Sequence, residues 1–368
     1  MTDRRTDPGG AREEHAQDSS QRGVGMQYRA LLAFGFALFL LGIFVYAVGW
    51  DEVTAAIYRT TLSVYLWAFA ATVGTLACRT LVWHRILSIV DRPRPYWLVA
   101  GIFLTATFTK YAVPYGQVAS GVGVAAVVSR YYDAAYEQGL AGVVSADFLN
   151  YLPYYTFGAV GAGYVLVVHS PSLETLGPYA LPIAALVAAI AVVLGLLWSR
   201  RSLVAEGLAG AAGRIRGLIR RTTGREVGFL RRENVRRRFE GFYTTLDLVA
   251  TDRRGVGAGL VFAHLGWLGL AGALYVTALA MDAPIPIGMA FLAVALSKFG
   301  FLVPTPGGVG GVELALATVL YLLAPVGLAT ATAIALLWRF ATYWFSLSVG
   351  GVTAIAVTLT DPVPPEDE

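Results

Sequence analysis

A segment near residue 300 constrains the fold more than any other, because it interrupts an apolar span with residues that no membrane helix can continue through. Lys298-Phe-Gly-Phe-Leu-Val-Pro-Thr-Pro-Gly-Gly-Val-Gly-Gly-Val-Glu313 contains two prolines, five glycines and a charge at each end. Proline removes a backbone donor and clashes with the preceding turn, so a helix cannot pass Pro304 and Pro306. Backbone groups freed at membrane depth survive only where protein or a water-filled cavity satisfies them. We therefore predict a broken element that lines a polar site.

The composition sets the class of protein. Of the 368 residues, 56% are hydrophobic and 14% are charged, whereas soluble domains carry about 25% charged residues. Six apolar runs approach or exceed the length of about 20 helical residues that crosses a bilayer. They lie at 30–50, 62–78, 141–168, 179–198, 256–280 and 329–358. We predict an all-α, polytopic membrane protein with about six full spans.

Arginine is concentrated in one stretch, which predicts the orientation. Residues 200–255 hold 14 of the 28 basic residues, all of them arginine, and six acids. Excess loop arginine marks the cytoplasmic side, so we predict a multi-pass protein of the cell membrane with both termini in the cytoplasm. The pattern also favours amphipathic helices that adhere to an anionic membrane surface. This explanation of the arginines disfavours nucleic acid as a partner.

These features divide the chain into five parts. We predict a disordered tail at 1–28, a first transmembrane half at 29–199, the basic insert at 200–255, a second transmembrane half at 256–359 and an acidic tail at 360–368. The single cysteine, Cys78, excludes an internal disulfide, and the four histidines show no metal-ligand spacing. We therefore predict neither a metal nor a cofactor.

A second interrupted span lies at 103–128, where Lys110 is followed by Pro114 and Gly116. Lys110 and Lys298 are the only lysines of the chain, and each precedes an aromatic residue and then proline and glycine. The match predicts that the two interrupted spans are equivalent parts of two related halves.

Two further observations favour an inverted repeat. Asp147-Phe-Leu-Asn-Tyr follows Gly116 by 31 residues, and Arg339-Phe-Ala-Thr-Tyr follows Gly308 by 31. If 62–78 returns the chain to a basic cytoplasmic turn at 79–94, residues 96–129 enter from the cytoplasm and 285–327 enter from outside. Paired Gly/Pro-interrupted segments in inverted halves are the best sequence indication of a transport site at the midplane. We predict two re-entrant, broken hairpins that approach from opposite faces.

Five ionisable residues fall in or beside apolar spans: Lys110, Asp147, Lys298, Glu313 and Arg339. Each costs roughly 2.5–3.5 kcal/mol at a lipid-facing helix centre, so they must pair or face a polar cavity. Three cations and two acids leave a charge of +1, which suits a phosphate or carboxylate. We predict that the two lysines and the arginine bind this anion, with the two acids as counter-ions.

The residues at the two breaks are expected to be structural hinges. Proline ends a helix and glycine permits close backbone approach, and the backbone N–H groups that follow the breaks favour anions. The hinge residues are Pro114, Gly116, Pro304, Pro306, Gly307, Gly308 and Gly310.

Pro304-Thr-Pro-Gly-Gly-Val-Gly-Gly-Val-Glu313 resembles a family signature, Pro-x-Pro-Gly-Gly-x-Gly-x-x-Glu, of the flippase-like integral membrane family. That family includes the transmembrane region of bacterial lysylphosphatidylglycerol synthases and the membrane portion of some archaeal glycosyltransferases. Arg339 lies where the family has a late arginine. In the first interrupted segment Gln117 replaces the usual glutamate, and Ser120 the usual arginine. The resemblance extends over about residues 30–358. It implies lipid headgroup translocation or handling of a lipid-linked sugar, with Gln117 among the substrate-binding residues.

We therefore expect a non-enzymatic flippase-like protein that moves an anionic lipid or a polyprenyl-phosphate-linked saccharide through a cationic midplane cavity, with or without a separate transferase as partner. One alternative is a membrane-embedded lipid or glycolipid transferase with Asp147 or Glu313 as a lone base. The chain has no Asp-x-Asp pair, nucleophile–base constellation or Walker sequence to support it. The other alternative is an ion-coupled carrier of a soluble anion.

Overall fold

The computed structural model describes residues 41–112, 134–169 and 232–359, together with 35, 38–39, 124–125, 127–129, 131–132, 199 and 206. Several sequence predictions fall outside these residues. They concern the tail at 1–28, residues 30–34, 36–37 and 40 of the span at 30–50, Pro114, Gly116, Gln117, the span at 179–198, the insert before residue 232 apart from 206, and the acidic tail at 360–368.

The described residues form helices and no strand, which confirms the all-α, polytopic class. The helices are α1 (Leu41–Val48), α2 (Trp50–Tyr58), α3 (Leu62–Val90), α4 (Tyr96–Ala112), α5 (Tyr136–His169), α6 (Arg232–Thr251), α7 (Arg253–Ala280), α8 (Ile287–Ser297), α9 (Gly311–Leu323), α10 (Leu328–Arg339) and α11 (Phe345–Leu359). A π-helical turn at Phe340–Trp344 joins α10 to α11, and 3₁₀ turns lie at Lys298–Leu302 and Pro306–Gly308. The helices α3, α5 and α7 are each long and apolar enough to cross a membrane.

The second span is longer than the sequence analysis predicted. Helix α3 has 29 residues and a length of about 43 Å at 1.5 Å per residue, so it continues well past residue 78. The expected basic turn at 79–94 is therefore wrong in its first part: Arg79 lies inside the helix, and the turn begins after Val90. The apolar residues that follow Arg79, among them Val82, Trp83 and Ile86, are buried and extend the helix.

Helices α3 and α7 pack along each other in opposite directions. At one end the backbone N–H of Thr61 donates to the carbonyl of Ala280 at 2.7 Å. At the other end, a Cβ added to Gly255 would lie 2.8 Å from the side chain of Ile89. Small residues let the two backbones approach, as is typical of packed membrane helices.

Helix α5 runs antiparallel to α3 and also antiparallel to α8. Gly142 lies against Leu87 near the beginning of α5 and the end of α3. Further along α5, a Cβ on Gly161 would meet the backbone N of Leu292 at 2.5 Å, and Gly288 lies against Tyr164. The helix α8 of the second half therefore packs on the last described helix of the first half.

The reciprocal contact joins α4 to α11. The carbonyl of Leu104 would lie 2.6 Å from a Cβ on Gly350, and the hydroxyl of Tyr343 donates to the carbonyl of Tyr111 at 3.2 Å. These contacts make α4 antiparallel to the α10–α11 helix. That helix is parallel to α3, since the hydroxyl of Tyr65 donates to the carbonyl of Leu337 at 2.7 Å and α3 continues beside α11.

These directions show that the two halves are inverted. Helix α4 is antiparallel to α11, which is parallel to α3, so α4 runs opposite to α3. Helix α8 is antiparallel to α5, which is itself antiparallel to α3, so α8 runs in the same direction as α3. Helices α4 and α8 therefore run in opposite directions. The first helix of each predicted hairpin therefore starts from the opposite side of the bundle. Each packs against the last described helix of the other half, a reciprocal arrangement that agrees with an inverted repeat.

The second hairpin is broken at the predicted place. Helices α8 and α9 contact each other, and a Cβ on Gly300 would lie 2.3 Å from the backbone of Gly311, so the segment folds back on itself. Pro306 to Leu323 could be counted as one apolar span, but Gly307 has a left-handed φ of 58° and interrupts it. The 13 residues of α9 are about 20 Å long, too short for a hydrocarbon core of about 30 Å.

The described part of the insert is the helix α6, which lies at the end of the bundle where α3 finishes and α5 begins. Gly241 lies against the side chain of Glu137, and Val249 belongs to the same buried cluster as Leu87. Asp252 caps α7 by accepting from the backbone N–H of Gly255 at 3.1 Å. The arginines of α6 and those at 85–94 therefore lie on one side of the bundle. The cytoplasmic assignment of that side stays a prediction.

The α5–α8 contact gives a test of this packing. Gly161→Ala places a methyl group against the backbone N of Leu292 and the carbonyl of Gly288, whereas a Cβ on Gly163 meets nothing within 4 Å. We expect Gly161→Ala to destabilise the folded protein by about 1–3 kcal/mol and to lower the thermal unfolding midpoint in detergent. Gly163→Ala, in the same helix, should leave the midpoint unchanged. Equal midpoints for the two variants would contradict the proposed packing of α5 on α8.

Candidate functional site

The site is built where the ends of the two hairpin regions meet long helices. Lys110 lies in the last turn of α4, Lys298 follows α8, and Glu313 lies in the first turn of α9. Asp147 and Arg339 lie within the long helices, and each follows the first residue of its helix, α5 or α10, by 11 positions. Four of the five predicted charges form two ion pairs.

The first pair joins Lys110 to Asp147. The Lys110 Nζ lies 2.5 Å from Asp147 Oδ2, and the indole N–H of Trp83 donates to Asp147 Oδ1 at 3.2 Å. The ammonium also lies 5.6 Å from the centre of the Trp83 ring. The side chains are 10% and 23% exposed, so this pair is partly accessible.

The second pair joins Arg339 to Glu313 and is closed. The Arg339 Nε donates to Glu313 Oε1 at 2.7 Å, and Nη2 donates to the carbonyl of Gly307 at 2.8 Å. The other carboxylate oxygen accepts from the backbone N–H of Gly310 at 2.8 Å, and the guanidinium lies 4.1 Å from the centre of the Tyr343 ring. The side chains are only 5% and 1% exposed. Arg339 and Glu313 therefore hold the broken loop on α10.

The hinge glycines have the backbone conformations that the loop needs. Gly307, Gly308 and Gly310 have φ angles of 58°, 68° and 86°, a region that glycine adopts without steric cost. A Cβ on Gly307 would lie 2.0 Å from the ring of Tyr343. The ring is thus packed directly on the loop backbone, beside the carbonyl of Pro306.

Tyr343 also connects the two halves of the molecule. Its hydroxyl donates to the carbonyl of Tyr111, the residue after Lys110, and the two rings lie 5.1 Å apart. The end of α4 therefore touches the region of the Arg339–Glu313 pair, and both ion pairs belong to one site. Pro114, Gly116 and Gln117 follow Tyr111 in the sequence and lie outside the described residues.

Lys298 has aromatic neighbours and no carboxylate partner among the described residues. Its Nζ lies 5.6 Å from the centre of the Trp267 ring and 5.3 Å from that of Phe301. The charges that act on it are those of two other cations, Arg79 and Arg339. Cation–π contacts give the protonated side chain partial compensation, and no carboxylate of the described residues adds to it.

Arg79 is the site residue that the sequence analysis missed. It lies in the middle of α3 with its guanidinium carbon 5.6 Å from the centre of the Tyr151 ring. Lys110 and Asp147 lie within electrostatic range of Tyr151 as well, and Arg79 lies within that of Lys298, so Arg79 belongs to the same site. Within the described chain it has no ion pair, and its Nε is buried without a hydrogen-bond partner. Its position on the buried face of α3, four residues after Thr75 and four before Trp83, was the available sequence signal.

The site therefore contains four basic side chains and two carboxylates, an excess of two basic groups among the described residues. No group of three or more His, Cys, Asp or Glu that could hold a metal ion occurs in the part of the chain that the structure describes. The arrangement can bind an anion with charge-assisted hydrogen bonds. Both carboxylates are already engaged by cations.

This fold and site define a polytopic membrane protein with inverted halves and a charged centre. The family model described as the lysylphosphatidylglycerol synthase TM region matches residues 30–350, and the chain belongs to this family. The match confirms the resemblance found at residues 304–313. No curated protein matches the chain.

The difference between the buried pair and a surface pair can be tested. Glu313→Gln leaves the Arg339 guanidinium buried without its counter-ion, which we expect to cost about 3–5 kcal/mol. The matched control is Glu240→Gln, because Arg236 and Glu240 form an exposed pair on α6 and exposed pairs stabilise little. Thermal unfolding in detergent should show a much lower midpoint for the first variant and the wild-type midpoint for the second. Similar midpoints would show that the Arg339–Glu313 pair does not hold the loop.

Proposed function

We propose that this protein moves the headgroup of an anionic lipid across the membrane at the midplane site, without ATP. The observation that carries the proposal is the meeting of two oppositely directed hairpin regions at a net-cationic site between apolar helices. A headgroup could contact charges there while its acyl or prenyl tails remain in the bilayer. Membership of the family supports a role in lipid modification or translocation; the translocation itself is our inference.

The geometry suggests different roles for the predicted binding residues. Arg339 and Glu313 are almost fully buried and engaged with the loop, which favours a positioning role. Lys110 and Asp147 are more accessible, and Lys298 has no counter-ion among the described residues, which favours contact with the anion. On this view the closed pair fixes the loop that carries Lys298 beside the substrate.

The engaged carboxylates also favour translocation over a transferase reaction. A general base must be within hydrogen-bond reach of the proton it removes, with a pKa suited to the task. Asp147 is bonded to Lys110 and Trp83, and Glu313 to Arg339 and the Gly310 backbone. We therefore propose that the chain is not an enzyme and that any lipid modification is carried out by a separate transferase.

The basic insert is proposed to rest on an anionic membrane surface. In α6, Arg236, Arg237 and Arg238 are exposed, and a Glu240 hydrogen bond raises the pKa of Arg236 above its already high value. Each basic residue near such a surface contributes about 1 kcal/mol of attraction. This contact would hold the end of the bundle against the leaflet that supplies or receives the lipid.

Transport can be measured in liposomes with purified protein. We expect wild-type protein to equilibrate an acyl-labelled anionic phospholipid between leaflets, detected by a membrane-impermeant quencher. Lys298→Ala should slow this movement by about 10-fold or more, because a hydrogen bond to a charged group contributes roughly 1.5–3 kcal/mol. Arg339→Ala should also lose movement, in the fraction that remains folded. The control is Arg59→Ala, because Arg59 is an exposed cation at the end of α2 and its loss should leave the wild-type rate unchanged.

The same preparations separate the alternatives. Normal movement by folded Lys298→Ala would overturn the assignment. A chemically altered lipid, seen by chromatography after incubation with protein, would indicate a transferase. Uptake of a soluble anion against its gradient, driven by an imposed ion gradient, would indicate a coupled carrier.

A further inference from the structure

We infer that Arg79 and Lys298 together form the binding site for a dianionic phosphate group, so that the preferred substrate is a phosphate-monoester or diphosphate lipid rather than a phosphodiester lipid. This inference rests on the proposed function, because it names the substrate class of the same site. It follows because the two ion pairs leave Arg79 and Lys298 without a carboxylate partner among the described residues.

The first step is the charge balance. Lys110 is neutralised by Asp147 and Arg339 by Glu313, so the positive charge that no carboxylate of the described residues balances resides on Arg79 and on Lys298 in its protonated form. In a site of low dielectric, the charge of a ligand affects its binding free energy more strongly than it does in water, so the site can discriminate between ligands of different charge. A phosphate monoester carries a charge close to −2 once its second proton, with a pKa of about 6, is lost. A phosphodiester carries −1 and would leave one cation uncompensated.

The second step is that Arg79 and Lys298 lie near the same part of α7. Arg79 and Lys298 act on each other electrostatically, and both lie beside the same turn of α7. The Cγ of Arg79 would lie 3.3 Å from a Cβ on Gly266, and Lys298 lies over the ring of Trp267. Two cations at adjacent residues of one helix can contact the oxygens of one phosphate.

The third step is the polar atoms that the fold leaves unsatisfied there. The Nε of Arg79 and the Oδ1 of Asn150 are both buried without a hydrogen-bond partner in the described chain. These two residues are neighbours, since the Asn150 Nδ2 donates to the Arg79 carbonyl at 3.5 Å. A buried polar atom without a partner costs about 1–3 kcal/mol, and a bound phosphate ester would satisfy the guanidinium.

The fourth step is the contrast with the closed pair. Arg339 is held by a carboxylate, a carbonyl and a ring, as expected of a cation that stabilises the fold. Arg79 and Lys298 place like charges together without a carboxylate in the described residues, which destabilises the empty protein. A destabilising arrangement in a binding site is typical of residues that serve a ligand.

The experiment compares two lipids that share the diacylglycerol part and differ in whether the phosphate is a free monoester or is esterified to a glycerol headgroup. Binding of phosphatidic acid and phosphatidylglycerol with identical acyl chains is measured at pH 7 to purified protein in detergent, with inorganic phosphate as a soluble competitor. We expect the wild type to bind phosphatidic acid at least about 10-fold more tightly than phosphatidylglycerol, since each cation contributes a charge-assisted contact. Arg79→Gln and Lys298→Gln should each reduce that preference by about 10-fold. The matched control is Arg85→Gln, because Arg85 is exposed six residues later in α3 and its loss should leave the preference intact.

Stability of the lipid-free variants gives a second measurement. Removing either unpaired cation relieves repulsion, so the thermal midpoint of Arg79→Gln and Lys298→Gln should equal or exceed that of the wild type. Lower midpoints together with an unchanged lipid preference would assign these residues to the fold and overturn the inference. Equal wild-type affinity for the two lipids would overturn it as well. Displacement of both lipids by inorganic phosphate alone, without a preference between them, would assign the site to a soluble anion instead.

The outcome is separable from that of the transport assay. If phosphatidic acid binds selectively but no lipid changes leaflet, the proposed translocation fails and the phosphate site stands. If lipids change leaflet without a monoester preference, translocation stands and this inference fails.

Discussion

The cost of placing charge inside the membrane governs this structure. The centre holds six ionised side chains, and each would cost several kcal/mol if it faced lipid. The protein solves most of the problem with two ion pairs, Lys110–Asp147 and Arg339–Glu313. Each pair joins a hairpin helix to the long helix of its own half, whereas the helices α4 and α8 pack against the other half. Ion pairing therefore closes each half, and helix packing joins the two.

The two pairs are related by position and opposite in sign. Asp147 and Arg339 occupy the same place in their helices, 11 positions after the first residue, yet one is an acid and the other a base. Their partners lie at different places of the hairpins, since Lys110 is in the last turn of α4 and Glu313 in the first turn of α9. Each half can still close with an ion pair, because the energy of a pair depends on complementarity and not on which element supplies the cation.

Much of this arrangement could be predicted from the sequence, because it depends on strong local signals. Pro304, Pro306 and Gly307 cannot continue a helix, so the break was predictable, and the opposite directions of the hairpins followed from counting crossings. The partners of the charges were not predictable, since Lys110 and Asp147 lie 37 residues apart and Arg339 and Glu313 lie 26 apart. Arg79 was assigned to a cytoplasmic turn because it precedes the cluster Arg85, Arg92 and Arg94. Its real position depends on a helix that continues 11 residues further, and only tertiary packing fixes that length.

The two ion pairs are buried to different extents, and this difference distinguishes residues that stabilise the fold from residues that can bind a ligand. A closed pair such as Arg339–Glu313 loses its hydration once, on folding, and then remains fixed by the loop backbone and the Tyr343 ring. It would be a poor ligand site, because binding an anion to Arg339 would require breaking contacts that hold the hairpin. Arg79 and Lys298 have the opposite property, since no carboxylate of the described chain competes with a ligand for them. The same centre can therefore be rigid where the chain is broken and electrostatically open where a phosphate would lie.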